Sequence, residues 1–224
     1  MLCAAAHALS FNCTAPCERA ARSLSAIRSA AAHRTKPMAS VVQSIVGEYK
    51  RYKALGEGAL AQLGDSELAA PAPGGGNSIA TICWHLGGNL RSRFTDFLTS
   101  DGEKPWRKRE EEFQARSVTK AELLGHWEEG WSALFAALEA LDDAQLSRTI
   151  TIRGQELRVD EALHRSLAHA SYHVGQVVYA ARALRGAAWR FLSIPPGQSD
   201  VFNASPGLQK PDAQAAWVRR TGGT

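Results

Sequence analysis

The sequence predicts an all-α protein: a four-helix bundle with a short β-hairpin before the last long helix. Two features of the 224 residues carry this. Four long stretches repeat apolar side chains at three- and four-residue steps, and only one short segment alternates with the period of a strand. Each helix has one apolar stripe, so the four need one another to bury them, and a bundle does this most economically.

The first helix covers about residues 40–63, with Val42, Ile45, Val46, Tyr49, Tyr52, Leu55, Leu60 and Leu63 in register. Pro71, Pro73 and Gly74-Gly-Gly76 then break the chain. The second starts at Asn77 or Ser78, either a good N-cap, and runs to about Leu98. Thr119 and Glu122 stand at capping-box spacing and open the third, whose stripe is Leu124, Trp127, Trp131, Leu134, Phe135, Leu138 and Leu141.

Thr149–Val159 alternates around Gly154 and reads as a hairpin. One hairpin cannot make a sheet core, so it should decorate an end of the bundle. The fourth helix is expected to be capped by Asp160 and to reach about Leu184, with Leu163, Leu167, Ala170, Val174, Val177, Ala181 and Leu184 on one face. From Pro195 the chain turns rich in Pro, Gly, Ser and Gln, and reads as a tail wrapped on the domain or partly disordered. The organisation expected is a disordered leader over 1–37, a bundle domain over 38–203 and a C-terminal tail over 204–224.

Composition excludes several function classes. With 45% hydrophobic and 21% charged residues the chain is of globular type, and no run approaches the ~20 apolar residues of a membrane-spanning helix. The net charge of +4 resides in residues 1–37, where Arg19, Arg22, Arg28, Arg34 and Lys36 face only Glu18. From totals of 26 basic and 22 acidic residues, this leaves 21 of each in the body. A body without net charge argues against nucleic acid as a partner.

The leader is rich in Ala, Ser and Arg and reads either as an organellar transit peptide or as a start site placed too early, with Met38 the true beginning. The first reading implies a plastid or mitochondrion; a bacterial source implies the cytoplasm. Cys3, Cys13 and Cys17 lie in the leader and only Cys83 in the body, so no disulfide framework is expected.

Histidine spacing supplies the candidate chemistry. His169 and His173 are four apart on the fourth helix and therefore share a face, beside the apolar stripe. Such a pair can share one metal ion, with a third ligand from another helix; His85, in Trp84-His85-Leu86, is the candidate. Three neutral imidazoles with an open position make a site of catalytic type. Ala170-Ser-Tyr172 lies between the pair, so the Glu of a zincin helix is missing and a metalloprotease is excluded. Cys83 should point away from His85 into the core, His164 should lie at the surface or pack on the hairpin, and His126 should pack beside Trp127.

These histidines belong to longer motifs: Asn77–Arg93, Thr99–Trp106, Trp127–Trp131, Thr149–Gly154, His169-Ala-Ser-Tyr-His173-Val-Gly-Gln176 and Ser193-Ile-Pro-Pro-Gly-Gln-Ser199. In this order they resemble the DinB/YfiT-like superfamily of metal-dependent enzymes, within it an uncharacterised branch, a domain of unknown function. The resemblance covers about residues 40–203. It implies a bundle of up-down-down-up arrangement, commonly a homodimer, with a divalent metal held by His85, His169 and His173. It also implies thiol-dependent transfer or isomerisation, in which the metal activates a low-molecular-weight thiol.

Around such an ion, Gln176 could hydrogen-bond a ligand or only a neighbouring backbone group. Asn89 and Arg93 extend a polar row from His85; Arg93 either holds a substrate carboxylate or pairs with Glu128 or Asp96. Glu128 is the acid expected to support a histidine, or else a solvated helix charge. The loop from Thr99 to Arg116 is long enough to form a rim or lid. The leading expectation is a metal-dependent enzyme whose Zn, Ni, Fe or Mn ion activates a water or a small thiol. The alternative is a non-catalytic bundle that binds a metal or small ligand.

Overall fold

A computed structural model describes residues 40–72, 74–204 and 206–221. The leader expectation falls on residues outside this set. In chain order the elements are α1 (Val41–Ala61), α2 (Asp65–Leu68), α3 (Ile79–Phe94), α4 (Arg109–Glu112), α5 (Lys120–Glu139), β1 (Thr149–Ile152), β2 (Gln155–Arg158), α6 (Val159–Arg185), α7 (Ser199–Ala204) and α8 (Pro211–Thr221). The protein is mostly helical, and α1, α3, α5 and α6 form the bundle. Among the described residues no helix is long and apolar enough to cross a membrane.

Local chemistry sets the ends of these helices. Ser78 caps α3 by accepting from the Thr81 backbone N–H at 3.1 Å. Thr119 and Glu122 form the expected capping box at α5. The start of α1 is capped from a distance: Asp143 accepts from the backbone N–H groups of Val41 and Val42 at 2.9 and 3.0 Å. Two boundaries differ from expectation. α3 stops at Phe94 rather than near Leu98, because the chain turns through Asp96 in the left-handed region (φ 50°). α6 begins at Val159, one residue before Asp160, so Asp160 lies in its first turn; Glu161 accepts from the Arg158 backbone N–H instead.

The core is built by the predicted stripes, with Tyr49, Trp127, Trp131, Leu134, Leu138, Leu163 and Val174 fully buried. Each such side chain contributes roughly 1.5–3 kcal/mol of apolar burial. Small residues let α3 and α5 cross closely: a Cβ on Gly130 would lie 2.5 Å from the Gly87 carbonyl oxygen. Cys83 is buried, as expected from its side of α3.

Beyond Pro195 the chain forms helices where the sequence reading placed none. α8 packs on α1, burying Ala215 and Val218, with Val218 against Gly58. Its pattern is too short and polar to stand out before its partner is known.

The hairpin pairs Thr149 with Arg158 and Ile152 with Gln155. Its two-residue turn, Arg153-Gly154, has both φ values positive (56° and 71°), the conformation that matches strand twist in tight hairpins. The turn is held from the loop after α3. Asp101 accepts from the backbone N–H groups of Arg153 and Gly154, both at 2.8 Å. The Gly102 N–H donates to the Thr151 carbonyl at 2.8 Å. The hairpin thereby becomes a wall of the cavity that His85 and His169 line.

Candidate metal centre

α3 and α6 pack together and bring His85, His169 and His173 to one place. His169 Nε2 lies 3.4 Å from His85 Nε2 and 3.1 Å from His173 Nε2. One nitrogen from each ring lies within 4.8 Å of the others, and the group could hold a metal ion. An ion bound tetrahedrally at ~2.05 Å sets neighbouring nitrogens about 3.3 Å apart, so the two spacings from His169 Nε2 fit.

The proton positions follow from the partners. Glu112 accepts from His85 Nδ1 at 2.8 Å. An ionised carboxylate can only accept, so His85 Nδ1 carries a proton and Nε2 is the nitrogen turned to the cluster. Gln176 does the same for His173: its Oε1 accepts from Nδ1 at 2.8 Å, while its Nε2 donates to the Tyr172 hydroxyl at 3.1 Å. Two of the three rings thus have their tautomer and orientation fixed from behind, as metal-binding imidazoles commonly do. His169 Nδ1 is buried with no hydrogen-bond partner among the described residues.

Electrostatics keep His169 and His173 in the form a cation needs. Burial and the neighbouring His173 and His85 push His169 down to about 3 from its ordinary 6.5. Burial also lowers His173, partly offset by the Gln176 hydrogen bond. Both rings are neutral at pH 7, and neutral imidazole is the ligand form.

Glu112 was not foreseen. In the sequence it ends the run Arg109-Glu-Glu-Glu112, which reads as solvated charge, yet in α4 only Glu112 is buried. Arg107 grips it with two bonds of 2.8 Å, from Nε to Oε1 and from Nη2 to Oε2. Burial alone would raise its carboxyl, but the hydrogen bonds from Arg107 and His85 outweigh it and hold the group ionised. Gly88 makes the approach possible, since a Cβ there would collide with Glu112 Oε1. Phe113, the next residue, lies on the His85 ring with centroids 4.6 Å apart; an aromatic after the charge run was the one sequence signal available.

The other expected residues divide. Glu128 is not the acid that supports a histidine: it is exposed and pairs with Lys53 at 2.7 Å. Arg93 pairs with neither Glu128 nor Asp96 but with Glu103, at 3.1 Å, and donates to the Gly102 carbonyl. Asn89 and Arg93 line a cavity of about 370 Å³ together with His85 and His169. The 99–116 loop contributes Arg107 and Arg109 to this cavity. His126 donates from Nε2 to the Trp84 carbonyl at 3.0 Å and stacks on Trp84, while His164 is exposed.

A family model described as "Protein of unknown function (DUF1572)" matches residues 38–198. The comparison with curated proteins returned no match, and neither did the comparison with solved structures.

Proposed function

The chain belongs to the DUF1572 family, and we propose that it is a metal-dependent enzyme using His85, His169 and His173 as its ligand set. The observation that carries this is the convergence of three Nε2 atoms, two of them in rings locked through Nδ1 by Glu112 and Gln176. A structural site would be closed by a fourth protein ligand; His85 and His169 instead line an open cavity.

A divalent ion so held, Zn, Ni, Fe or Mn, supplies Lewis acidity that favours the deprotonated form of a water or small thiol in its free position. The chain's own residues do the rest. Glu112, charged and anchored by Arg107, holds the His85 proton on Nδ1. Gln176 holds that of His173 and so acts as a positioning residue. Asn89 and Arg93 offer polar groups to a substrate, and the hairpin restricts access to water from one side. The histidine order and the helical fold agree with the resemblance to the DinB/YfiT-like enzymes, which favours hydrolysis or thiol transfer as the reaction class.

The test is metal content by mass spectrometry on untagged protein beginning at Met38, beside a His85→Ala/His169→Ala control. One divalent ion per chain, lost in the control, is expected. Wild-type protein that takes up none of the four metals would overturn the reading in favour of a ligand-binding bundle.

A further inference from the structure

The cavity beside His85 and His169 is lined by five arginines, Arg93, Arg107, Arg109, Arg153 and Arg165, and, among the described residues, by no acidic side chain. Carboxylates reach some of them from outside. Arg93 and Arg153 share Glu103, Arg107 holds Glu112, and Arg109 pairs with Glu110. Five guanidinium groups therefore face three carboxylates. Arg165 makes no ion pair among the described residues, and Arg107 Nη1 has no hydrogen-bond partner although the side chain is only 2% exposed. Leaving a buried guanidinium N–H unpaired is costly, and the cavity that Arg107 and Arg165 line carries more guanidinium than carboxylate charge.

Two residue ladders give the arrangement a direction. On α3, His85, Asn89 and Arg93 follow at four-residue steps; on α6, Arg165, His169 and His173 do the same. Side chains so spaced share a helix face. His85 meets His169, and Arg93 and Arg165 both line the same cavity, so both guanidiniums stand to one side of the cluster. At 1.5 Å per residue they lie ~6 Å (Arg165) and ~12 Å (Arg93) along the helices from their histidines. Phe94, Phe97, Ile152 and Leu157 give the cavity apolar wall.

We infer that this cavity takes a small organic anion, with a carboxylate or phosphate group held by Arg165 and Arg153 and an apolar body against Phe94, Phe97 and Leu157. The planar guanidinium fork suits both acid groups. The assignment names the substrate class for the metal-dependent reading and rests on it for the reaction alone, since recognition of the anion requires only the arginines.

The test uses the full chain, stripped of metal and desalted, titrated by NMR with 3-phenylpropanoate, phenyl phosphate and the neutral 3-phenylpropan-1-ol. At least one anion is expected to bind about tenfold or more tightly than the alcohol, the worth of one charge-assisted hydrogen bond. Arg165→Gln and Arg153→Gln should each remove about that factor, while Arg220→Gln, exposed on α8 and outside the cavity lining, keeps it. The preferred anion identifies the acid group. Equal affinity for the alcohol, no binding of either anion, or unchanged affinity in both cavity variants would overturn the inference. Zinc titration of the same samples reads the histidine site separately, so anion binding without zinc uptake would sink the enzyme reading and leave this one standing.

Discussion

Glu112 and His85 lie 27 positions apart in the chain, and the Glu112 carboxylate accepts from His85 Nδ1 at 2.8 Å inside the protein. The contact fixes which nitrogen of His85 is free, and Arg107 fixes the contact. Removing the charge at Glu112 should weaken metal binding without removing a ligand. Glu112→Gln is expected to lower zinc affinity about 10- to 100-fold, read by competition with a chelating dye. Wild-type affinity in this variant would mean that His85 is oriented by something else.

Metal-free protein should lose stability in acid. His169 is pushed down to about 3 from 6.5, so between these values the unfolded chain binds a proton that the folded one excludes. Stability is therefore fully present above pH 6.5 and falls as pH drops toward 3. His173 and His126, both lowered chiefly by burial, act in the same direction. Urea unfolding of chelated protein at pH 7.5 and pH 5 should give a lower midpoint at the acid value, with a smaller difference in His169→Ala. A flat profile would contradict the burial of these rings as neutral groups.

The crossing of α3 and α5 leaves no room for a methyl group at Gly130, where a Cβ would stand 2.5 Å from the Gly87 oxygen. Because backbone rather than a flexible side chain is in the way, Gly130→Ala must spread the helices. Thermal or urea unfolding should show a loss of about 1–3 kcal/mol. Gly125→Ala on the same helix meets nothing within 4 Å, and provides the control with little change or a small gain.

Asp101 holds the hairpin turn through the N–H groups of Arg153 and Gly154. Asp101→Ala should speed amide hydrogen exchange at those two positions and leave the centres of α3 and α6 unchanged. Unaltered exchange would show that the Gly102–Thr151 backbone bond and the Arg153–Glu103 pair secure the hairpin without it.

Periodicity made the four long helices legible, since an apolar stripe at three- and four-residue steps survives any tertiary arrangement. His85, His169 and His173 were legible too: His169 and His173 share a helix face by spacing alone, and the motif order pointed to His85. The tautomers were not legible. Glu112 and Glu128 are both acids in charged surroundings, and nothing local says that one is buried beside a histidine and the other exposed with Lys53. The same holds for α8, whose apolar residues gain meaning only against α1.

The sequence by itself determined the helices, the hairpin and the pair of imidazoles on one turn, because each depends on residues a few positions apart. Tertiary structure alone decided which acid holds His85, that Arg93 answers to Glu103, and that arginines from four separate segments surround one cavity. Those relations depend on how helices cross and where loops return, and burial, which sets the strength of every charge involved, exists only once they have.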